Sequence, residues 1–191
     1  ALIYDSEEVD GFEIGLKSNL LDNNMRLNAT YYKYEYTDLQ VQLFDAAIIQ
    51  FSTFNAGAVE TEGFEADLLW YTDIPGLTLR GQFAWTDATN TGDFITPGGE
   101  NLKGSKRSYS PEIAGSFGLS YDSGLSNGWR YNISTDARYS DEYGWGTYID
   151  SPMQDSFWIN DVALSLYSED GKHSFNLIGR NLGDEIVIIT G

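Results

Sequence analysis

The sequence predicts an all-β chain, an antiparallel up-and-down meander of about eight strands that serves as a barrel wall. Three observations predict it. The 191 residues include 13 Tyr and 20 Gly with abundant Thr and Asn, a composition that favours strand over helix. Period-2 alternation of apolar and polar residues recurs in eight segments, and almost no 3.6-residue apolar stripe exists. The connections alternate between short and long, which a meander produces and a Greek-key sandwich generally does not.

The strands follow in order. Phe12, Ile14 and Leu16 alternate in the first, roughly 7–18, and Met25, Leu27, Ala29 and Tyr31 in the second, 25–41. Phe64, Ala66, Leu68 and Trp70 mark the third, 54–71, and Leu77, Leu79, Phe83 and Trp85 the fourth, 77–88. Ile113, Phe117, Leu119 and Tyr121 mark the fifth, 110–122, and Tyr131, Ile133, Ala137 and Tyr139 the sixth, 129–141. Val162, Leu164 and Leu166 give the seventh, 157–167, and Phe175 and Leu177 the eighth, 173–182. Short turns are expected at 20–24, 72–76, 122–128 and 168–172, and long connections at about 42–53, 89–109 and 142–156.

This choice of faces leaves one free of charge. The other carries Glu13, Lys17, Arg26, Glu65, Asp67, Arg80, Arg130, Asp136, Arg138 and Arg180. A half-buried soluble sheet or a membrane wall would give such a split. The aromatics favour the wall: Trp70, Tyr71, Tyr121, Trp129, Tyr131 and Tyr167 flank the short turns, while Tyr34, Tyr36, Trp85, Tyr139, Tyr143 and Trp145 lie toward the long loops. Amphipathic rings at both strand ends are what two membrane interfaces select. Most segments have the ~9–11 residues that a tilted strand needs to cross hydrocarbon.

Composition narrows the function. A net charge of -18 argues against nucleic acid, whose phosphates need a basic face. No Cys and a single His leave neither a disulfide framework nor a His/Cys metal cluster. No apolar run is long enough for a transmembrane helix, which says nothing of barrel strands. Residue 1 is Ala with no signal-peptide pattern after it, and the chain stops on Ile186-Val187-Ile188-Ile189 before Thr190 and Gly191. Both ends are expected to be cuts in something longer.

Four segments carry a resemblance. They are Glu8-Val9-Asp10-Gly11-Phe12-Glu13-Ile14-Gly15-Leu16, continuing to Tyr36-Thr37-Asp38-Leu39-Gln40; Asn55-Ala56-Gly57-Ala58 with Glu62-Gly63-Phe64-Glu65; Leu102-Lys103-Gly104 leading to Ser110-Pro111-Glu112; and Gly179-Arg180-Asn181-Leu182-Gly183-Asp184-Glu185. In this order and spacing the sequence resembles the C-terminal part of the barrel of a TonB-dependent outer-membrane receptor. The resemblance implies a curved piece of a barrel of about 22 strands around an N-terminal plug. Asn181-Leu182 would close the penultimate strand, short turns would be periplasmic and long loops extracellular. It also implies the bacterial outer membrane, with lipid and lipopolysaccharide outside the wall. Plug and TonB would be partners in the parent protein, and the cargo a small-molecule nutrient, most often a ferric siderophore. No cofactor is implied.

Neither enzyme nor metal chemistry is expected. Glu65 and Asp67 stand two apart on one strand face, as acid/base carboxylates can, but a polar barrel interior would pair them with Arg26, Arg80 or the plug. His173 sits beside a turn without a supporting Ser and Asp spacing. Pro97-Gly98-Gly99 lacks the Lys-Ser/Thr of a phosphate loop. Asp87, Asp93, Asp141, Glu142, Asp150 and Asp155 gather toward the long loops without calcium-loop spacing. The expected ligand contacts are Phe51, Phe54, Tyr143, Trp145, Tyr148 and Trp158, because rings give contact area at low entropy cost. Two rivals stay open: a complete small eight-stranded outer-membrane barrel with a structural or adhesive role, which needs 7–18 to pair with 173–182, and a soluble carbohydrate-binding β-domain, which needs a second layer over Phe117, Leu119, Ile133 and Leu164.

Overall fold

The eight alternating segments become eight neighbouring strands. The structure, a computed structural model, describes residues 5–45, 49–55, 57–96, 99–145 and 152–188. In chain order the strands are β1 (Glu8–Leu20), β2 (Met25–Thr37), β3 (Gln40–Asp45), β4 (Gln50–Asn55), β5 (Ala58–Tyr71), β6 (Leu77–Asn90), β7 (Ile113–Gly124), β8 (Arg130–Ser140), β9 (Tyr143–Gly144), β10 (Met153–Gln154), β11 (Phe157–Tyr167) and β12 (Ser174–Gly179). One antiparallel sheet runs β1-β2-β5-β6-β7-β8-β11-β12, each strand beside the next in that order. The pairs β3-β4 and β9-β10 are hairpins on the long-loop side.

Several boundaries differ from expectation, among them the start of β5 at Ala58 and the end of β12 at Gly179, and three differences have local reasons. The second strand stops at Thr37 because Asp38 adopts a φ of 54°, which ends an extended run. The connection read as a loop at 42–53 holds the β3-β4 hairpin. The strand expected from 110 begins at Ile113, since Pro111 has no N–H for the ladder. Among the short turns, the β5-β6 turn needs Gly76 twice over. Its φ is 84°, and the Asp122 amide donates to its carbonyl at 2.9 Å, so close that a side chain would strike the Asp122 carbonyl.

Register puts the apolar sets of all eight strands on one face. Ile14 faces Tyr31, Tyr31 faces Phe64, Phe64 faces Trp85 and Trp85 faces Ile113. Nearer the short turns run Trp70, Leu79, Leu119, Thr135 and Val162. No second layer covers this face among the described residues: Phe117 is 50% exposed, Ile133 42% and Leu177 72%. Among the described residues Val59, Ala88 and Leu102 are the buried hydrophobic ones, and no side chain is fully buried. Burying one such large side chain stabilises a soluble fold by ~1.5–3 kcal/mol, a gain that this sheet by itself leaves unrealised on its apolar face. Among the described residues the soluble rival's second layer is missing, and β1 and β12 do not pair as the small barrel requires.

The apolar face ends in a belt of ion pairs toward the long loops. Lys33 reaches Glu60 at 2.9 Å and Glu62 at 3.7 Å; Lys106 reaches Asp87 at 3.0 Å and Glu112 at 2.7 Å. Lys33, Glu62 and Asp87 occupy the row after Tyr31, Phe64 and Trp85. The Glu112 carboxylate, beside the Lys106 ammonium in the long loop, raises the lysine's pKa above its ordinary value.

The aromatic girdle needs correcting. Trp70, Tyr121 and Tyr131 lie on the apolar face near the short turns, and Trp85 and Tyr139 on it near the long loops. Tyr34 and Tyr36, expected there too, point the other way, opposite Gly11 and Val9, as do Tyr71 and Tyr167 opposite Thr78 and Arg130. Tyr31, Tyr32, Tyr34 and Tyr36 follow so closely that alternation leaves no contrast between faces.

Candidate functional site

The polar face is concave enough to hold a groove of about 560 Å³, lined among others by Asn28, Glu65, Asp67, Gln82, Ser116 and Arg138. Register places Glu13, Lys17, Arg26, Glu65, Asp67, Arg80, Arg130, Asp136 and Arg138 on this face; Arg180 follows the last residue of β12. Their pairing differs from expectation. Asp67 accepts from the Asn28 amide at 3.1 Å and has Arg26 at 3.9 Å. Arg80 turns away from Glu65 and Asp67 and crosses β7 to Asp136, with Nε and Nη2 donating to the two carboxylate oxygens at 3.3 and 2.5 Å. It can do so because β7 has Gly118 beneath it, where any Cβ would overlap the guanidinium. Asp136 stands directly opposite Asp161, a like-charge pair that needs cations. Arg138 supplies the second, donating to Asp161 at 2.8 Å. Glu65 has no hydrogen bond or ion pair among the described residues.

Asp161 also accepts the Asn181 amide at 2.8 Å, which ties the Asn181-Leu182-Gly183-Asp184 turn to the wall. Asn181, at a φ of 48°, closes that turn with its own carboxamide, donating to the Glu185 carbonyl at 2.9 Å and accepting the Glu185 amide at 3.0 Å. Asp161→Ala in the full-length parent should cost about 1 kcal/mol, because it removes the acceptor of the half-buried Asn181 amide and of the exposed Arg138 guanidinium. The measurement is amide exchange at Asn181, which should quicken relative to amides in β5. An unchanged rate would mean that the turn stands without the wall.

The long-loop end is ordered by backbone bonds that no local pattern announces. The segment after β6 folds back along it, with Asn90 N donating to Ser105 O at 2.9 Å, Gly104 N to Asn90 O at 2.7 Å and Arg107 N to Ala88 O at 2.9 Å. Leu102, Thr96, Val59, Ala88 and Asn90 are buried by this fold. Farther out, the Asn101 amide and then the Lys103 ammonium hold the Asp93 carboxyl below the usual carboxylate range.

The expected ligand aromatics separate. Tyr143 and Trp145 come together on the β9 loop. Tyr143 donates to the Ile188 carbonyl at 3.0 Å and packs its ring 6.1 Å from Tyr109. Trp145 binds the Pro152 carbonyl through its backbone at 3.1 Å, while its indole N–H is buried with no partner among the described residues. Trp158 instead lies on the apolar face opposite Tyr139, rings 5.0 Å apart, where a girdle residue sits. Phe51 and Phe54 fall on β4, opposite Phe44 and Val41 in register. Tyr148 lies outside the described residues.

The sequence reading missed the tyrosines of β2. Tyr32, Tyr34 and Tyr36 share the polar face, and the only signal for it was that Lys33 and Glu35 between them must then face the belt. Among the described residues no cluster of three or more His, Cys, Asp or Glu could hold a metal ion. His173 is an exposed turn residue whose amide donates to Ser168 Oγ at 3.0 Å.

This wall has a known counterpart. A family model described as TonB dependent receptor-like, β-barrel, matches residues 3–182. The chain belongs to that family. No curated protein matches it. Among solved structures, those of similar fold include the ferric-catecholate import receptor Fiu from E. coli K12, at 21% identity and a TM-score of 0.68 over 95% of this chain and 24% of that one. The siderophore receptor PiuA from Acinetobacter baumannii matches at 22% identity and a TM-score of 0.73, over 94% and 25%. The ferric yersiniabactin uptake receptor FyuA from Yersinia pestis matches at 14% and 0.76, again over 94% and 25%. At these identities the likeness establishes the fold, and the chain spans about a quarter of each receptor. The meander is therefore an unclosed part of a TonB-dependent receptor barrel.

Proposed function

We propose that the chain forms wall and extracellular loops of an outer-membrane receptor that imports a scarce nutrient, a ferric siderophore being the reading its family and structural neighbours favour. One observation carries this: an uncovered apolar face continuous across eight strands, backed by a groove-bearing charged face. Lipid demands that every backbone group in the wall be paired, and a closed barrel meets the demand. The apolar face then meets hydrocarbon, and the belt around Lys33 and Lys106 meets lipopolysaccharide headgroups.

The polar face holds the plug until TonB, drawing on the inner-membrane proton gradient, displaces it. Glu65, without a partner in this sheet, is the carboxylate most available to a plug cation. Tyr143 and Trp145 are the loop rings offered to the ligand, and the bare indole N–H of Trp145 is a donor that a ligand oxygen can satisfy. Family relatives are transport receptors, and no catalytic role is assigned to any residue.

The test is a deletion strain carrying or lacking the full-length parent gene. The protein should fractionate with the outer membrane, and only carriers should take up radiolabelled ferric siderophores when TonB is functional. Recovery in the aqueous phase without detergent, or uptake indifferent to TonB, would overturn the proposal.

A further inference from the structure

We infer that the connections at the long-loop end form one hydrogen-bonded collar with Tyr143 as its central joint, so that loosening this joint loosens the connections on both sides of it. The inference goes beyond the import reading and needs no cargo. Strand order sets five segments side by side along the rim: the one before β1, the β3-β4 hairpin, the connection from β6 to β7, the loop from β8 to β11 and the one after β12. Each is bonded to the next.

The bonds run in one line. Asn55, at the foot of the hairpin, accepts the Asp5 amide at 2.7 Å and donates to the Asp5 carbonyl at 3.0 Å, while the Gln40 amide donates to Glu7 at 2.7 Å. Three residues on, the Ala58 carbonyl accepts the Thr91 and Gly92 amides at 2.8 and 3.1 Å. The two chain segments approach so closely there that a Cβ on Gly92 would overlap the backbone of Gly57 and Ala58. At the far end of the same connection the Tyr109 amide donates to the Gly144 carbonyl at 2.8 Å. Tyr109 holds a φ of 58°, a conformation that a bulky residue keeps only where its surroundings fix it. Beyond it, the Tyr143 hydroxyl donates to the Ile188 carbonyl at 3.0 Å, and Gln154 Oε1 accepts the Ile188 amide at 2.9 Å. Side chains of one loop thus hold both backbone groups of Ile188.

Tyr143 belongs to two of these ties. Its ring packs on Tyr109, centroids 6.1 Å apart, and its hydroxyl holds Ile188. Gln154, its partner in register, is buried, so water competes poorly for the Ile188 bonds. The ties of Asp5 and Glu7 join exposed groups, where water competes fully. The collar is therefore tight at Tyr143 and loose at Asn55. Packed and bonded elements pass a displacement on together. A force on Tyr143 is shared by Tyr109 and Ile188 before it reaches the hairpin.

The experiment is amide exchange of the full-length parent receptor in detergent, with the amides of β5 as internal reference. Tyr143→Ala removes both ties and should speed exchange at Tyr109 and Ile188 at least about fivefold. Neither amide is bonded to Tyr143 itself, so both changes report transmission. Tyr143→Phe keeps the ring and loses the hydroxyl, and exchange should quicken at Ile188 alone. In the wild type Gln40 should exchange faster than Ile188. Should Tyr143→Ala also quicken β5, Tyr143→Phe decides. An Ile188 amide as slow in Tyr143→Phe as in the wild type, or quickening confined to 143–145 in Tyr143→Ala, overturns the collar. Neither readout involves uptake, so the import reading stands or falls by its own test.

Discussion

Residues 1–191 expressed without the rest of a barrel will not give a cooperative unfolding transition in detergent. β1 and β12 each have a strand on one side only, so their outer edges carry rows of unpaired N–H and C=O groups. In an apolar surrounding each unsatisfied group costs several kcal/mol. A few such groups exceed the ~5–15 kcal/mol by which whole domains are stable. The interior offers little compensation, because the buried hydrophobic residues among those described are Val59, Ala88 and Leu102, two of them small. Circular dichroism against temperature should show a broad, concentration-dependent loss of β signal with aggregation through the open edges. A monodisperse species with a sharp transition would show that the segment closes on itself after all.

In the complete barrel, Phe117→Arg should be the most damaging single substitution of its strand. Phe117 stands mid-β7 on the apolar face, between Gly81 and Ala137, half-exposed, and meets lipid in the proposed barrel. Arginine at the bilayer midplane of a barrel costs ~2–4 kcal/mol, which shifts the folding equilibrium about 30- to 1000-fold. Ser120→Arg, three residues along the same strand, turns the same charge to the polar face near Asp122 and should change stability by less than about 1 kcal/mol. Urea titrations of both variants in lipid vesicles decide the matter. Equal losses would mean that the faces are assigned wrongly.

Much of the fold was legible because two constraints reinforce each other. Alternation within a strand fixes which residues share a face, and pairing forces neighbouring strands to agree. Ile14, Tyr31, Phe64, Trp85 and Ile113 come from five separate segments and still fall in one row. Legibility failed where either constraint lost contrast. In 31–36 aromatic residues sit at both phases, so composition could not say that Tyr34 faces Glu13 rather than lipid. The fold of the 91–112 connection depends on contacts such as Asn90 with Ser105, which long-range closure creates and spacing does not announce. Arg80 was read against its strand neighbours, whereas Gly118 let it reach one strand farther. Glycine counted only as composition conceals what its missing side chain permits.

That reach has a mechanical consequence. The guanidinium of Arg80 spans β6, β7 and β8 at a right angle to their run, so it works as a rivet against sliding. Shifting β6 by two residues past β8 would carry donor and acceptor about 7 Å apart. A tug along the barrel axis, as when something is drawn out through its base, loads strands in that direction. The wall resists there with a cross-tie whose strength depends on position 118 staying empty.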